Sequence, residues 1–378
     1  MGQRGRILLL PCLLICSSAW SAPGLESSFD SLRKQQSEVE LPEGRPVRPL
    51  SRRSIFRVIS WNVQTFGGGV SPKREAAYGE LLEHMFATSR SAKVLAVQEI
   101  ANEEGAAKFR GLLPGGDDRW NRSFENTGGS QDNGFFTQRG VTTHCEQFMF
   151  ARDDGSGRVN PDRSKALHPV RIARMQVDDF DFTLITLHLR FSGGDPQAPA
   201  KELGNVFTWL EEYFQDPAND PDVIIAGDFN LPTRNGHSGG SGPALEDIVG
   251  GFDMFAPEYD QDGRHVPKAT ELYSLVDEPT SRSGGQPANN YDHFIVSGDV
   301  YHEEYVADSA GHFPVKLLAA IEERHETHVS DHLPISAGFL RKGTGADGRP
   351  VALDQVSSDD QDRPQCWADP KLLAQKHP

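Results

Sequence analysis

Residues Val223-Ile224-Ile225-Ala226 run straight into Gly227-Asp228-Phe229-Asn230. A short apolar run bounded by polar residues reads as a buried strand. A buried strand that stops on a carboxylate and an amide delivers two oxygen ligands to one point at the edge of a sheet. The pattern recurs where Val329-Ser330 meets Asp331-His332-Leu333-Pro334, just before the apolar-rich stretch from Ile335 to Leu340. A chain with two such stops needs a sheet to hold them, and the residue types suit a metal-dependent site.

Elsewhere, short apolar runs alternate with turn-forming clusters. The pattern predicts strands at Phe56–Asn62, Lys93–Ile100, Glu146–Ala151, Val170–Val177, Phe182–Leu189, Val223–Ala226, Tyr291–Val296 and Ile335–Leu340, with helices at Glu75–Thr88 and Lys201–Phe214. Helices alternate with only some of the strands, which predicts a mixed-sheet α/β layered fold. Ligand chemistry in such folds gathers at strand ends and loops. No internal repeat is present, and Gly67-Gly68-Gly69 precedes no phosphate-binding lysine motif.

The flanks differ from this centre. Arg4 and Arg6, the apolar stretch from Ile7 to Ile15 and the small residues Ala19 and Ser21 predict a secretory leader over residues 1–21, too short to span a bilayer. Residues 22–53 read as a polar linker containing Pro23, Pro42, Pro46 and Pro49, residues 54–341 as the catalytic domain, and 342–378 as a disordered tail. The expected product is a secreted or periplasmic monomer with no stable membrane association and no protein partner evident.

Charge narrows the partners. The chain carries a net −16, which becomes −18 once a leader holding two arginines and no acid is removed. An acidic surface repels polyanions at long range, which argues against a tight, static nucleic-acid binder. It leaves room for a turnover enzyme whose metal inverts the local field. Cys12 and Cys16 depart with the leader. Cys145 and Cys366 remain, either bridged or with Cys145 as a buried thiol inside its strand.

The chemistry-bearing positions all flank apolar runs: Asn62, Glu99, His188, Asp228 with Asn230, Asp292, and Asp331 with His332. Each alone is weak, because a strand-end aspartate commonly forms a turn. Together they are hard oxygen donors plus two imidazoles, which suits Mg2+, with Mn2+ or Ca2+ as alternatives, better than zinc.

In this order the motifs resemble the endonuclease/exonuclease/phosphatase superfamily, and within it the deoxyribonuclease I branch, over about residues 55–341. The resemblance is carried by Asn62-Val63-Gln64-Thr65-Phe66-Gly67, Val97-Gln98-Glu99, Glu146-Gln147-Phe148-Met149-Phe150, Leu187-His188, Gly227-Asp228-Phe229-Asn230, Tyr291-Asp292 and Ser330-Asp331-His332-Leu333-Pro334. It implies a four-layered α/β/β/α sandwich of two packed mixed sheets flanked by helices. It also implies Glu99, Asp228 and Asp331 as metal ligands, and Asn62 and Asn230 as donors to the substrate phosphate. Two catalytic pairs follow from it: His332 oriented by Asp292, and His188 oriented by Glu146. One imidazole would take a proton from water while the other protonates the leaving oxygen. The expected activity is non-specific endonucleolytic hydrolysis of DNA. The alternative is a phosphoesterase of small-molecule or lipid phosphates on the same fold.

Two departures bear on groove contacts. Ala101 stands where the branch has an arginine, and His144 where it has a tyrosine. The run from Asn121 to Arg139 corresponds to the branch's nucleic-acid-contacting loop, and Arg122, Arg139, Arg190 and Arg234 are candidate phosphate contacts in loops.

Overall fold

The computed structural model describes residues 55–88, 91–153, 159–236, 242–283, 286–313 and 329–341; the expected leader, linker and tail lie outside them. The strands that form the two main sheets are β1 (Ile55–Phe66), β2 (Ala92–Ile100), β3 (Trp120–Phe124), β4 (Asp132–Gln138), β5 (Val141–Phe148) and β6 (Arg171–Val177). They continue with β7 (Phe180–His188), β8 (Val223–Asp228), β9 (Leu272–Ser274), β10 (Asp292–Ser297), β11 (Gly311–His312) and β12 (Ile335–Leu340). One six-stranded sheet has the order β11-β12-β1-β2-β4-β3 and the other β9-β10-β8-β7-β6-β5.

Each sheet has one parallel pair near its centre, β1 with β2 and β7 with β8, among antiparallel neighbours. A parallel pair requires a crossover. Helix α1 (Pro72–Thr88) supplies the first and, after α2 (Glu103–Leu112), α3 (Gln197–Gln215) supplies the second.

Side-chain alternation explains the layering, since successive strand residues face opposite sides. On one face of the first sheet Phe56, Val58, Val94, Ala96, Ala337 and Phe339 pack against Met175, Phe182, Leu184, Ala226 and Phe294 of the second sheet. On its other face Ile59, Trp61, Leu95 and Val97 meet Tyr78, Leu81 and Met85 of α1 and Phe109 of α2. The second sheet turns Ile185, Leu187, Ile225 and Ile295 outward onto Leu203, Val206, Phe207 and Leu210 of α3. The result is the α/β/β/α sandwich.

Toward one end the apolar layer between the sheets gives way to polar residues. Gln98 Nε2 donates to Ser60 Oγ at 3.2 Å and across the gap to Thr186 Oγ1 at 2.9 Å, forming a buried polar floor.

Some element boundaries depart from expectation. The run from Asn121 to Arg139 is not a loop: it contains most of β3 and all of β4, with Phe135 and Phe136 fully buried. Asp132-Asn133-Gly134 carries a turn signal, but pairing with β2 and β3 on both sides overrides it. Likewise β5 begins at Val141 and ends at Phe148, shorter at its far end than the predicted Glu146–Ala151 strand.

Candidate active site

Strand register does most of the assembly. Asp228, at the end of β8, lies opposite His188 on β7 and opposite Asp292 on β10. One row across three strands therefore places a carboxylate between an imidazole and a second carboxylate. Gly227 permits the row, because a β-carbon there would run into the Leu187 carbonyl.

On the facing sheet Asn62 pairs with Gln98, and the register then shifts. Glu99 sits in that irregularity with φ 63°, while Gln64 and Thr65 on β1 have φ 46° and 54°. Left-handed backbone at non-glycine residues costs on the order of 1–3 kcal/mol each and persists where the surroundings over-determine it. Here α1 does so. Tyr78 Oη donates to the carbonyls of Val63 (2.6 Å) and Val329 (2.9 Å), and Arg74 reaches the carbonyls of Gln64 and Val329.

The same fastening fixes the last motif. Ser330 Oγ donates to the Asn62 carbonyl at 2.7 Å and accepts from His332 N at 3.1 Å, while Trp61 Nε1 donates to the His332 carbonyl at 3.1 Å. His332 therefore arrives beside β1 although 271 positions separate it from Trp61 in sequence.

Side chains from both sheets meet at one oxygen. His332 Nε2 lies 3.5 Å from Asp228 Oδ2, and His188 Nε2 lies 3.6 Å from the same atom and 3.8 Å from Glu99 Oε1. Asn62 Nδ2 spans the two carboxylates, donating to Glu99 Oε1 at 3.0 Å and Asp228 Oδ2 at 2.9 Å. Thr65 Oγ1 donates to Glu99 Oε2 at 2.9 Å. Behind His332, Asp292 Oδ2 lies 2.7 Å from Nδ1, and Asp292 is itself fixed through its backbone N–H to Thr280 Oγ1.

The electrostatics follow from burial and charge. Burial opposes the charge on His332, but Asp292, Asp228 and then Asp331 outweigh it and hold the imidazole up, at about 10. Burial likewise pushes the Asp228 carboxyl up, against the pull of His332 and His188. Burial also raises the Asp331 carboxyl, with Glu99 and Asp292 adding to the effect and His332 opposing it. For Glu99 burial is outweighed: His188 and hydrogen bonds from Asn62, Gln131 and Thr65 hold it below the usual carboxylate value.

A divalent cation fits this donor set. Asp228, Asp292 and His332 have ligand atoms within 4.8 Å of one another. His332 Nδ1 and Asp292 Oδ2 are committed to each other, so the oxygens of Glu99 and Asp228 are the better holders, with Asp331 close enough to Glu99 for the two charges to interact. Carboxylates outnumber imidazoles here, and hard oxygen donors are what Mg2+, Mn2+ and Ca2+ prefer. Asp292 Oδ1 is buried without a hydrogen-bond partner among the described residues, a further sign of uncompensated negative charge.

One expected pair does not form. Glu146 is ion-paired with Arg171 rather than with His188. On β5 it lies opposite Ala173, which lies opposite Leu184, four residues before His188. At about 3.3 Å per residue that offset is roughly 13 Å along the strand. The two expected phosphate donors have amide nitrogens engaged within the protein: Asn62 on the carboxylates, and Asn230 on the Leu189 carbonyl at 2.8 Å.

Of the four candidate arginines, Arg122 lies on β3 rather than in a loop and pairs with Glu103, Arg190 pairs with Glu202 and Arg234 with Asp247; Arg139 is exposed at the β4–β5 turn. His144 faces Gln176 at 3.2 Å on the exposed side of β5. Cys145 is disulfide-bonded, with its partner outside the described residues.

Several contributors escaped the sequence reading. Thr65 lay within a recognised run, but nothing marked its hydroxyl as a donor to Glu99. Gln131 had only a loop composition around it. His168, whose ring stacks on His188 with centroids 4.4 Å apart, has no motif at all beyond the proline that follows it.

Solved structures similar to this chain include truncated TDP2 of Caenorhabditis elegans, 14% identical over 76% of this chain and 98% of that one, with a TM-score of 0.45. Another is the mannosyl-6-phosphatase of Bacteroides thetaiotaomicron, 14% identical over 75% and 99%, with a TM-score of 0.48. A third is ANGEL2, a 2′,3′-cyclic phosphatase, 14% identical over 75% and 95%, with a TM-score of 0.45. No match was found among curated protein sequences. The profile of the Endonuclease/Exonuclease/phosphatase family matches residues 59–332, a span that begins in β1, ends on His332 and takes in both sheet-edge clusters. On that match the chain belongs to the endonuclease/exonuclease/phosphatase family.

Proposed function

We propose that the chain is a divalent-metal-dependent phosphodiesterase that acts as a non-specific endonuclease on DNA after export. The observation that supports this most is the convergence of His188 Nε2 and His332 Nε2 on Asp228 Oδ2, beside Glu99. Hydrolysis of a phosphodiester needs an activated water, neutralisation of the phosphoryl oxygens and a proton for the departing alkoxide.

Each imidazole offers Nε2 to the same small volume. One takes the proton from water as it attacks phosphorus, and the other gives its proton to the leaving 3′ oxygen. Asp292 on Nδ1 keeps the His332 ring in one orientation and stabilises its charged form. Glu99 and Asp228, with Asp331 nearby, would hold a divalent cation, which would supply charge neutralisation at the phosphoryl oxygens. The run Asn62-Val63-Gln64-Thr65-Phe66-Gly67 favours the deoxyribonuclease I branch within the family, and the leader-like residues 1–21 favour export.

A second reading, hydrolysis of small phosphoesters, is favoured by one observation. Three of the four candidate arginines are already paired with acids on a chain of net charge −16, so these positions offer little to a long polyanion. Supercoiled plasmid and bis-p-nitrophenyl phosphate, each with Mg2+ and with chelator, separate the two. Plasmid nicking that chelator stops supports the endonuclease. Cleavage of the small diester alone moves the assignment to the second reading, and no cleavage of either rejects phosphodiester hydrolysis in both.

A further inference from the structure

His188 lacks the carboxylate that holds His332. Its Nδ1 has no hydrogen-bond partner among the described residues, and Glu146 is committed to Arg171. What the ring has instead is a second imidazole: His168 lies face to face with it, centroids 4.4 Å apart and planes within 7°. We propose that His168 is a positioning residue for His188, its stacked ring taking the orienting role that Asp292 has for His332, and that Glu202 holds the stack together.

Glu202 is buried on α3 and each of its oxygens ties down one of the two segments. Oε1 accepts from the backbone N–H of Leu167, one residue before His168, at 3.1 Å. Oε2 accepts from the backbone N–H of Arg190, two residues after His188, at 2.9 Å. The Arg190 guanidinium closes back on the same carboxylate at 3.3 Å. On its other side the His168 segment is held by Arg163, which donates to the Leu167 carbonyl at 2.9 Å, and by Asn133, which donates to the Pro169 carbonyl at 2.8 Å.

Pro169 further confines the His168 backbone to extended conformations. Burial and the neighbouring His188 hold the His168 imidazole far down, at about 3, so it presents a neutral face throughout the working range. A neutral aromatic face at a fixed plane selects one orientation of the ring stacked on it.

The kinetic part of this inference rests on the proposed hydrolytic reading, whereas the structural part does not. In the full chain, His168→Ala is expected to lower kcat on bis-p-nitrophenyl phosphate roughly tenfold to a hundredfold while KM stays within about twofold, the signature of a misaligned reacting group. His168→Phe, which keeps a stacked ring, restores most of the rate. Glu202→Gln, which loses one of the two acceptors, falls between them, and the double variant His168→Ala/Glu202→Gln is no slower than the slower single one.

The stack itself is read by NMR. The His188 Hε1 resonance, assigned by comparison with His188→Gln, is shifted upfield by the neighbouring ring in the wild type and in His168→Phe, and returns downfield in His168→Ala. Wild-type kcat in His168→Ala, a His168→Phe enzyme as slow as His168→Ala, or an unmoved His188 resonance overturns the proposal. If the wild type hydrolyses no phosphoester, the functional reading fails and the resonance alone decides the stack. Should His168→Ala not fold, His168→Phe and Glu202→Gln carry the same test.

Discussion

At its last residue β8 sets Asp228 against His188, His332 and the Asn62 amide, whereas just before its first residue it sets Asp222 among Asp220, Asp299 and Glu304. Both ends bury acid. At the first end the charge is met by imidazoles that can exchange protons and by a geometry suited to a cation. At the second it is met by protons. Burial, then Glu304 and Asp220, with a hydrogen bond to Asp299, push the Asp222 carboxyl up to about 9. Burial and a hydrogen bond to Asp181 push Asp220 up to about 6, with Arg174 3.6 Å away. Buried carboxylates are therefore not in themselves a metal site. What distinguishes the candidate-site end is the pairing of surplus acid with groups that can give way to a cation or pass a proton.

The largest test of this contrast removes an imidazole. His332→Ala is expected to lower kcat about 10²–10⁴-fold with near-UV circular dichroism unchanged. Near-normal turnover would break the catalytic side of the comparison. Next in size is the cation. At about a hundred times its dissociation constant Mg2+ should add about 2.7 kcal/mol of stability, read as a rise in melting temperature. Glu99→Gln should lose most of that rise and Asp222→Asn should keep it; a rise that survives Glu99→Gln places the cation elsewhere.

A third mode of charge matching, a fixed guanidinium, is represented by Glu146 with Arg171. Glu146→Gln leaves Arg171, buried on β6, without its anion, and should cost about 1–3 kcal/mol, less than a fully buried pair because Glu146 is partly exposed. Its kcat should stay within about twofold of wild type. A large loss of kcat with little loss of stability in urea melts would restore Glu146 to the catalytic machinery.

The smallest effect concerns the far end. Asp222 has a folded value above the unfolded one of about 3.9, so the folded state holds its proton more tightly. The stability it contributes is full below about pH 4 and is lost as pH climbs through about 9. Asp222→Asn should therefore melt a few degrees above wild type at pH 8 and converge with it toward pH 4. A difference that does not change with pH would mean that these acids are not sharing protons.

Much of the site could be read before the fold was known because strand-end stops are local. Gly227-Asp228 and Leu187-His188 each end an apolar run and Tyr291-Asp292 opens one, and one row of strand pairing brings all three together. What could not be read depends on registers that local sequence does not carry. The slip between Thr143 and Cys145 helps place Glu146 opposite Ala173, away from His188. His168 lies in no periodic run and reaches the site through ties from its neighbours Leu167 and Pro169 to Glu202 of α3, Arg163 and Asn133. β4 opens with three residues that ordinarily form turns, and its burial comes entirely from its neighbours.

Pairing between β12 and β1 has a consequence for synthesis. A nascent chain stopped short of residue 329 already carries Glu99, His188 and Asp228, but it has no His332, no β12 along one edge of β1 and no Ser330 hydroxyl on the Asn62 carbonyl. Translation delivers the closing strand after every other strand of both sheets, so an unfinished copy lacks one of the two imidazoles on which the proposed hydrolysis depends.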